Sequence, residues 1–226
     1  MNVLSLFNGM GCAWLALDRA GIEVTGRYSS EIDKYANKVN DANYPDTIQI
    51  GDVCKVSARN LPKIDLIVAG SPCQGFSFAG KGLAFDDPCS ALFFEFVRIL
   101  KDCQEINPEV KYLLENVRMK KDYQNVISDL VGVEPIMINS ALVSAQNRVR
   151  LYWTNIGGTG GIPQPKEKGI FLKDILQKDV DEKYYLSEKA LARISNSNYS
   201  KPSINAQKAG TITTKNNSGQ LSQRHG

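Results

Sequence analysis

Short apolar strand patterns alternate with helical patterns from the first residue to about residue 156. Each apolar run is rich in β-forming residues and ends in a polar or glycine-containing turn, and an amphipathic segment follows most of these turns. Such alternation is typical of a parallel sheet, in which the crossover from one strand to the next runs through a helix. We therefore predict an α/β fold with a doubly wound sheet and helices on both faces.

The patterns give approximate limits for these elements. Strands are predicted at 3–7, 24–30, 47–50, 65–69, 112–114 and 135–141, and helices at 13–20, 32–40, 90–102 and 123–131. Beyond about residue 156 the composition changes: a glycine-rich stretch at 157–161 is followed by Pro163 and Pro165, which indicates a linker. The remainder is polar, and residues 195–223 have too few apolar side chains to build a core alone.

One cysteine stands at the end of a buried strand. The run 65–69 leads into Gly70-Ser71-Pro72, and Cys73 follows at once. Pro72 fixes its own φ and restricts Ser71, so the backbone entering the cysteine is stiff. In open α/β sheets ligands bind at the carboxyl ends of strands. A thiol there, with its pKa lowered by cationic groups or helix amides, is a candidate nucleophile, and a cysteine that only packs is the alternative.

Composition excludes several classes of protein. The only histidine is His225, which disfavours mechanisms that need a Ser–His or Cys–His pair. The five cysteines are scattered and form no Cys-x-x-Cys pair, so we expect no disulfide framework, no metal and a reducing cytoplasm. No signal peptide or membrane-length apolar run is present, so we expect no membrane association. A net charge of +3 neither requires nor forbids nucleic acid.

Two acidic residues follow strands near a glycine-containing turn. The turn Asn8-Gly9-Met10-Gly11 joins a strand to a helix, the usual layout for a nucleotide-like ligand over a helix N-terminus. Glu31, about 20 residues later, suits a ribose hydroxyl, or it is a helix N-terminal charge. Asp52 suits an adenine amino group, or it caps the next turn.

Further charged residues lie at the ends of later strands. Glu115 follows the strand 112–114, and partial burial there would raise the pKa of its carboxyl and let it donate a proton near pH 7. Arg148 and Arg150 are two residues apart, hence on one face if extended; a solvated strand edge is the alternative. Residues 77–88 contain two glycines and an acidic pair, and we interpret them as a lid over the cysteine.

Together these stretches resemble the cytosine carbon-5 DNA methyltransferases in order and spacing over residues 1 to about 156. The motifs that carry the resemblance are Ser5-Leu6-Phe7-Asn8-Gly9-Met10-Gly11, Glu31, Asp52, Gly70-Ser71-Pro72-Cys73-Gln74, Glu115-Asn116-Val117 and Gln146-Asn147-Arg148-Val149-Arg150. Chance agreement of all six is remote. The residues of these motifs are most similar to those of the animal de novo type and its bacterial and phage relatives. Residues 211–215 resemble the family's Leu-Thr segment.

The resemblance implies a Rossmann-like sheet that uses S-adenosyl-L-methionine, releases S-adenosyl-L-homocysteine and acts on double-stranded DNA, as in restriction-modification. Residues 1–156 would form the catalytic and cofactor-binding domain, and 157–226 the linker and part of a small target-recognition region. Cofactor contacts would come from Phe7, Gly9, Gly11, Glu31, Ile32, Asp52, Val53, Ser71 and Pro72.

The resemblance also assigns the catalytic roles. Cys73 would be the nucleophile, Glu115 the acid at the base ring and Arg148 the clamp on the target cytosine, with Asn116 and Arg150 beside them. The residues implied to contact the substrate are Ser71, Gln74, Gln146, Arg148 and Arg150. Because the target atom is hidden in a stacked duplex, the base must be flipped out.

Three departures from the family's pattern keep alternatives open. Ser5 stands where Asp is usual, Cys12 stands where many members have Gly, and the family's C-terminal Gly-Asn-x-x-Pro segment does not occur before Gly226. We therefore expect either a fragment of a longer chain or a complementing segment or subunit. A degenerate DNA-binding subunit without catalysis and a tRNA cytosine methyltransferase remain alternatives to an active DNA methyltransferase.

Overall fold

Seven strands form one sheet in the part of the chain that the computed structural model describes, residues 1–72, 88–158, 161–195 and 207–210. They are β1 (Asn2–Leu6), β2 (Gly26–Ser30), β3 (Ile48–Gln49), β4 (Leu66–Ala69), β5 (Lys111–Val117), β6 (Ile136–Asn139) and β7 (Val149–Thr154). Their order across the sheet is β3-β2-β1-β4-β5-β7-β6. The pairs β3–β2, β2–β1, β1–β4 and β4–β5 are parallel, whereas β7 pairs antiparallel with β5.

Helices connect most of these strands. They are α1 (Cys12–Arg19), α2 (Lys34–Asn43), α3 (Pro88–Ile106), α4 (Lys121–Val131), α5 (Leu172–Ile175) and α6 (Glu188–Ser195). The chain leaves β1 at the centre of the sheet, adds β2 and β3 on one side, and then crosses to β4 and β5 on the other. This reversal makes the sheet doubly wound, so the predicted fold class is confirmed.

Both faces of the sheet are covered by apolar side chains. Along β1, Val3 belongs to a cluster with Trp14 of α1, whereas its neighbour Leu4 belongs to the larger cluster with Phe93 and Phe96 of α3. Successive strand residues point to opposite faces, so this division means that α1 and α3 cover opposite sides. Phe93 and Phe96 are fully buried in the core, whereas Phe94 is 42% exposed.

Helix α2 begins two residues later than the pattern predicts, at Lys34 rather than Ile32. The carboxylate of Glu31 accepts hydrogen bonds from the backbone N–H groups of Ile32 and Asp33, at 2.8 and 2.9 Å, which holds both residues outside the helix. Asp33 is the N-cap, because its Oδ1 accepts from the N–H groups of Tyr35 and Ala36. The apolar periodicity alone did not locate this cap.

The chain separates into two compact units. The first contains Met1–Met137 and Arg150–Ile162, and the second contains Ile138–Val149 and Pro163–Gly226. The strands and helices that bury the apolar core belong to the first unit. None of the helices in the described part of the chain combines the length and the apolar character that a membrane crossing requires.

Candidate functional site

The turn after β1 contains three residues with left-handed backbone. Phe7, Gly9 and Gly11 have φ values of 56°, 58° and 85°. Such a φ is costly for an aromatic residue, so the surrounding structure must hold Phe7 in place. One element that does so is Glu31, whose Oε2 accepts a hydrogen bond from the Gly9 N–H at 2.8 Å. The carboxylate predicted to meet a ribose therefore also ties the glycine turn to the end of β2.

The two glycines of this turn serve different purposes. A Cβ at Gly9 would meet nothing within 4 Å, so the space beside Gly9 is open. A Cβ at Gly11 would lie 2.6 Å from Oδ1 of Asn40, a fully buried residue of α2. The same oxygen accepts hydrogen bonds from Asn8 Nδ2 at 3.0 Å and from Trp14 Nε1 at 2.9 Å. Gly11 is therefore needed for packing, and the sequence patterns did not reveal Asn40 because it lies on an otherwise ordinary helix.

Three further predicted cofactor residues lie at the ends of β2 and β3. The side chain of Ile32 is 78% exposed. Asp52 caps a short 3-10 turn, since its Oδ1 accepts from the backbone N–H of Cys54 at 3.0 Å. This is the capping role that we considered as an alternative. Val53 is only 6% exposed and packs in the main core.

The carboxyl ends of β4 and β5 are joined by a buried hydrogen bond. Asn116 Nδ2 donates to Ser71 Oγ at 3.1 Å, and both residues are at least 95% buried. Beside this bond, Oε2 of Glu115 lies 3.5 Å from the position that a Cβ on Gly70 would occupy. The structure thus brings Glu115 and Asn116 against the Gly70-Ser71-Pro72 segment, the backbone that leads to Cys73.

Glu115 is held by an arginine of the neighbouring strand. Arg150 Nε lies 2.8 Å from Glu115 Oε1, with the two side chains 15% and 32% exposed. The pair is possible because β7 runs antiparallel beside β5, in the register that pairs Val117 with Arg150. Partly buried pairs are screened less by salt than surface pairs. No local sequence pattern indicates this contact, because 35 positions separate the two residues in the chain.

In the second unit, Gln146 and Arg148 lie on a loop whose backbone makes several hydrogen bonds. The Arg148 N–H donates to Asn139 Oδ1 at 3.1 Å, and the Arg148 carbonyl accepts from the Ser140 N–H at 3.0 Å. The Gln146 carbonyl accepts from Ser140 Oγ at 2.8 Å. We call residues 139–148 the arginine loop.

Several predicted residues lie outside the described part of the chain. These are Cys73, Gln74, residues 77–87 of the predicted lid and the segment 211–215. Among the described residues, no group of three or more His, Cys, Asp or Glu side chains is arranged to hold a metal ion.

Comparison with known proteins identifies the family. A protein-family model described as C-5 cytosine-specific DNA methylase matches residues 1–224 of the chain. Type II methyltransferase M1.ScrFI from Lactococcus lactis subsp. cremoris is 34% identical over 207 residues, which are 83% of this chain and 51% of the relative. Orphan methyltransferase M.Rho11sI from Bacillus phage rho11s is 32% identical over 86% of this chain and 47% of its own length. The chain thus spans about half the length of these two curated relatives.

Solved structures agree on the fold. A DNMT2 variant from Spodoptera frugiperda superposes with a TM-score of 0.63 at 25% identity, covering 85% of this chain and 65% of its own. The S. pombe Dnmt2 methyltransferase gives a TM-score of 0.60 at 18% identity, with 85% and 64% covered. The sequence match over nearly the whole chain, supported by this shared fold, means that the chain belongs to the C-5 cytosine-specific DNA methylase family.

Proposed function

We propose that this chain carries the catalytic part of a DNA (cytosine-5) methyltransferase. It transfers a methyl group from S-adenosyl-L-methionine to carbon 5 of a flipped-out cytosine in double-stranded DNA. Residues 1–156 are the catalytic and cofactor-binding domain, and 157–226 contain the linker and part of the target-recognition region. A DNA substrate of a bacterial or phage genome puts the protein in the cytoplasm of the bacterial or infected cell.

The observation that carries the proposal is a set of three contacts at the carboxyl ends of β4 and β5. Asn116 is bonded to Ser71, Glu115 lies against Gly70, and Arg150 holds the carboxylate of Glu115. These contacts fix an acidic group and a stiff Ser-Pro segment at one edge of the sheet. Cys73 is the next residue of that segment. Neighbouring groups of this kind suit the activation of a ring by a thiolate.

The chemistry requires these residue types. Carbon 5 of cytosine is too weak a nucleophile to take a methyl group unaided. Addition of the Cys73 thiolate at carbon 6 turns the ring into an enamine, which splits one difficult step into two easier ones. Glu115 holds nitrogen 3 and stabilises the charge that develops on the ring. After methyl transfer a base such as water removes the carbon-5 proton, the double bond between carbons 5 and 6 forms again, and the Cys73 thiolate leaves carbon 6.

The residues near the glycine turn fit S-adenosyl-L-methionine, which supplies an electrophilic methyl group when bound. Space is open beside Gly9, and the exposed side chain of Ile32 offers an apolar surface to an adenine face. Glu31 and Asp52 supply carboxylate oxygens that suit the ribose hydroxyls and the adenine amino group. We propose these four residues, with Phe7, Gly11, Val53, Ser71 and Pro72, as the cofactor site.

Arginine and glutamine side chains hold the flipped base in this proposal. Arg148 clamps the target cytosine, Gln146 and Arg150 support that clamp, and Gln74 and Ser71 contact the substrate. Flipping costs a few kcal/mol, which contacts of these groups with phosphate or base edges offset.

Methyl transfer from labelled S-adenosyl-L-methionine tests the proposal. The protein expressed from the complete reading frame is incubated with duplex DNA or with tRNA, and the Cys73→Ser variant is the control. We expect label on DNA for the unmodified protein and none for Cys73→Ser. Label on tRNA alone would assign the other nucleic acid as substrate. Cofactor binding without label on either would indicate a non-catalytic subunit and would contradict the proposal.

A further inference from the structure

Lys208 makes contacts that link the far end of the chain to the arginine loop. Its Nζ donates to the backbone carbonyl of Ala141 and, at 3.2 Å, to that of Ser144. The same ammonium lies 5.5 Å from the centre of the Phe171 ring. The two carbonyl partners precede Lys208 by 67 and 64 residues, so these are long-range tertiary contacts within the second unit.

The ammonium sits where backbone carbonyls need a donor. Ser140–Leu142 forms one turn of 3-10 helix, and carbonyls at the end of such a turn have no partner within it. Lys208 bonds the carbonyl of Ala141, and the backbone N–H of Lys168 bonds that of Leu142 at 2.7 Å. A cation at the carboxyl end of a helical turn is also favoured electrostatically.

The backbone next to Lys208 binds the same loop. The Ala209 N–H donates to the Ala145 carbonyl at 2.7 Å, and the Asn147 N–H donates to the Ala209 carbonyl at 2.8 Å. Gln146 and Ala209 thereby form a parallel β-bridge. Lys208 and Ala209 together hold the loop on both sides of Gln146, immediately before Arg148.

We propose that Lys208 is a positioning residue for Arg148, acting through the backbone of the arginine loop. Because two of the loop's carbonyls are bonded to one ammonium, loss of that charge leaves them without their partner and loosens the loop. Small displacements of a clamping side chain lower a rate strongly even when binding is retained. This inference rests on the proposed function, since it assigns Arg148 to the target cytosine.

Lys173 offers a matched control. Its Nζ lies 6.0 Å from the centre of the same Phe171 ring, but it makes no hydrogen bond to the arginine loop among the described contacts. Lys173→Met and Lys208→Met therefore remove the same charge near the same ring, and the loop carbonyls lose a donor only in Lys208→Met.

The test measures single-turnover methylation of duplex DNA, cofactor affinity and the thermal midpoint for the complete reading frame. We expect Lys208→Met to lower the rate at least tenfold with cofactor affinity within twofold of the unmodified protein. Lys208→Arg, which keeps the charge, restores most of the rate, and Lys173→Met leaves it unchanged.

A double-mutant comparison separates positioning from general stability. In an Arg148→Ala background, Lys208→Met should change the remaining rate less than twofold, because the residue through which it acts is gone. An equal loss in both backgrounds, or a normal rate in Lys208→Met alone, would overturn the inference. If the unmodified protein transferred no methyl group, the proposed function itself would fail. That outcome is distinct from the failure of the inference about Lys208, which requires an active unmodified protein.

Discussion

At the scale of single residues, the Glu115–Arg150 pair dominates the candidate site. Each side chain is partly buried, and each satisfies part of the other's hydrogen-bonding capacity. Arg150 presents its Nε to one carboxylate oxygen, while the other oxygen lies against Gly70. The arginine therefore orients the carboxylate along the segment that leads to Cys73, which is the arrangement that the proposed role of Glu115 requires.

We predict that Glu115→Gln lowers the methylation rate by two or more orders of magnitude, since the amide cannot stabilise the charge that develops on the ring as the carboxyl group does. The measurement is single-turnover transfer of labelled methyl groups to duplex DNA. Glu109→Gln is the matched control, because Glu109 is an exposed carboxylate just before the other end of β5. Near-normal turnover in Glu115→Gln would rule out the role given to this residue.

The glycine turn gives a second prediction at this scale. Gly9→Ala and Gly11→Ala both place a side chain on left-handed backbone, at a cost of about 1–2 kcal/mol each. Only Gly11→Ala also crowds Asn40, so it should lower the free energy of unfolding by at least a further ~1 kcal/mol. Gly9→Ala should mainly weaken cofactor binding.

Denaturant titration and cofactor titration of both variants separate these effects. Equal losses in the free energy of unfolding for the two variants would show that crowding of Asn40 by a Cβ at position 11 does not lower stability.

At the scale of elements, the sequence predicted six of the seven strands that the structure describes and missed only β7 (Val149–Thr154). Apolar runs such as 65–69 are local signals, so the strands and their connecting helices were readable. The insertion of β7 between β5 and β6, antiparallel to β5, depends on pairing between distant segments. No local pattern specifies such a pairing, and the Glu115–Arg150 contact could not be predicted without it.

The residues of the candidate site also differ in whether local sequence patterns could predict them. Residues at the carboxyl ends of strands, such as Glu31 just after β2 and Glu115 near the end of β5, could be chosen from the sequence because these ends share one edge of the sheet. Asn40 and Lys208 could not, because neither lies in a motif and both act through contacts across long stretches of chain. Their roles follow only from the tertiary structure.

Helix α2 provides a prediction about pH. Hydrogen bonds from the backbone N–H groups of Ala36 and Tyr35 lower the pKa of Asp33 below its ordinary value of 3.8. The folded state therefore favours the ionised carboxylate. Its contribution to stability is present above pH 3.8 and is lost as the pH falls through the lower pKa of the folded state.

Thermal midpoints of the unmodified protein, Asp33→Ala and Asp33→Asn test this prediction between pH 7 and pH 3. Asp33→Ala should melt below the unmodified protein at pH 7, and the gap should narrow as the pH falls. Asn also caps helices but does not titrate, so the gap between Asp33→Asn and Asp33→Ala should stay constant. A gap to the unmodified protein that does not change with pH would contradict the assignment of Asp33.

At the scale of the whole molecule, the core of the first unit protects a thiol. Burial raises the pKa of Cys103 to about 11, and its side chain is 2% exposed. Because the thiolate is the reactive form, Cys103 should resist iodoacetamide at pH 8 until the unit unfolds. Cys12, which is exposed, should react in the folded protein and serves as the internal control.

Peptide mapping after alkylation in increasing urea gives the readout. Modification of Cys103 should rise together with the loss of tertiary structure. Modification of Cys103 in native buffer at the rate of Cys12 would mean that the core opens without unfolding.

The most direct test of the account is covalent trapping with duplex DNA that contains 5-fluorocytosine. After methyl transfer the fluorine at carbon 5 cannot leave as a proton does, so the bond between enzyme and base persists. For the protein expressed from the complete reading frame, incubated with S-adenosyl-L-methionine, we predict a covalent adduct on Cys73. The Cys73→Ala variant should form no adduct but should still bind the cofactor. A protein that binds both cofactor and duplex but forms no adduct, or forms it on another residue, would contradict the account.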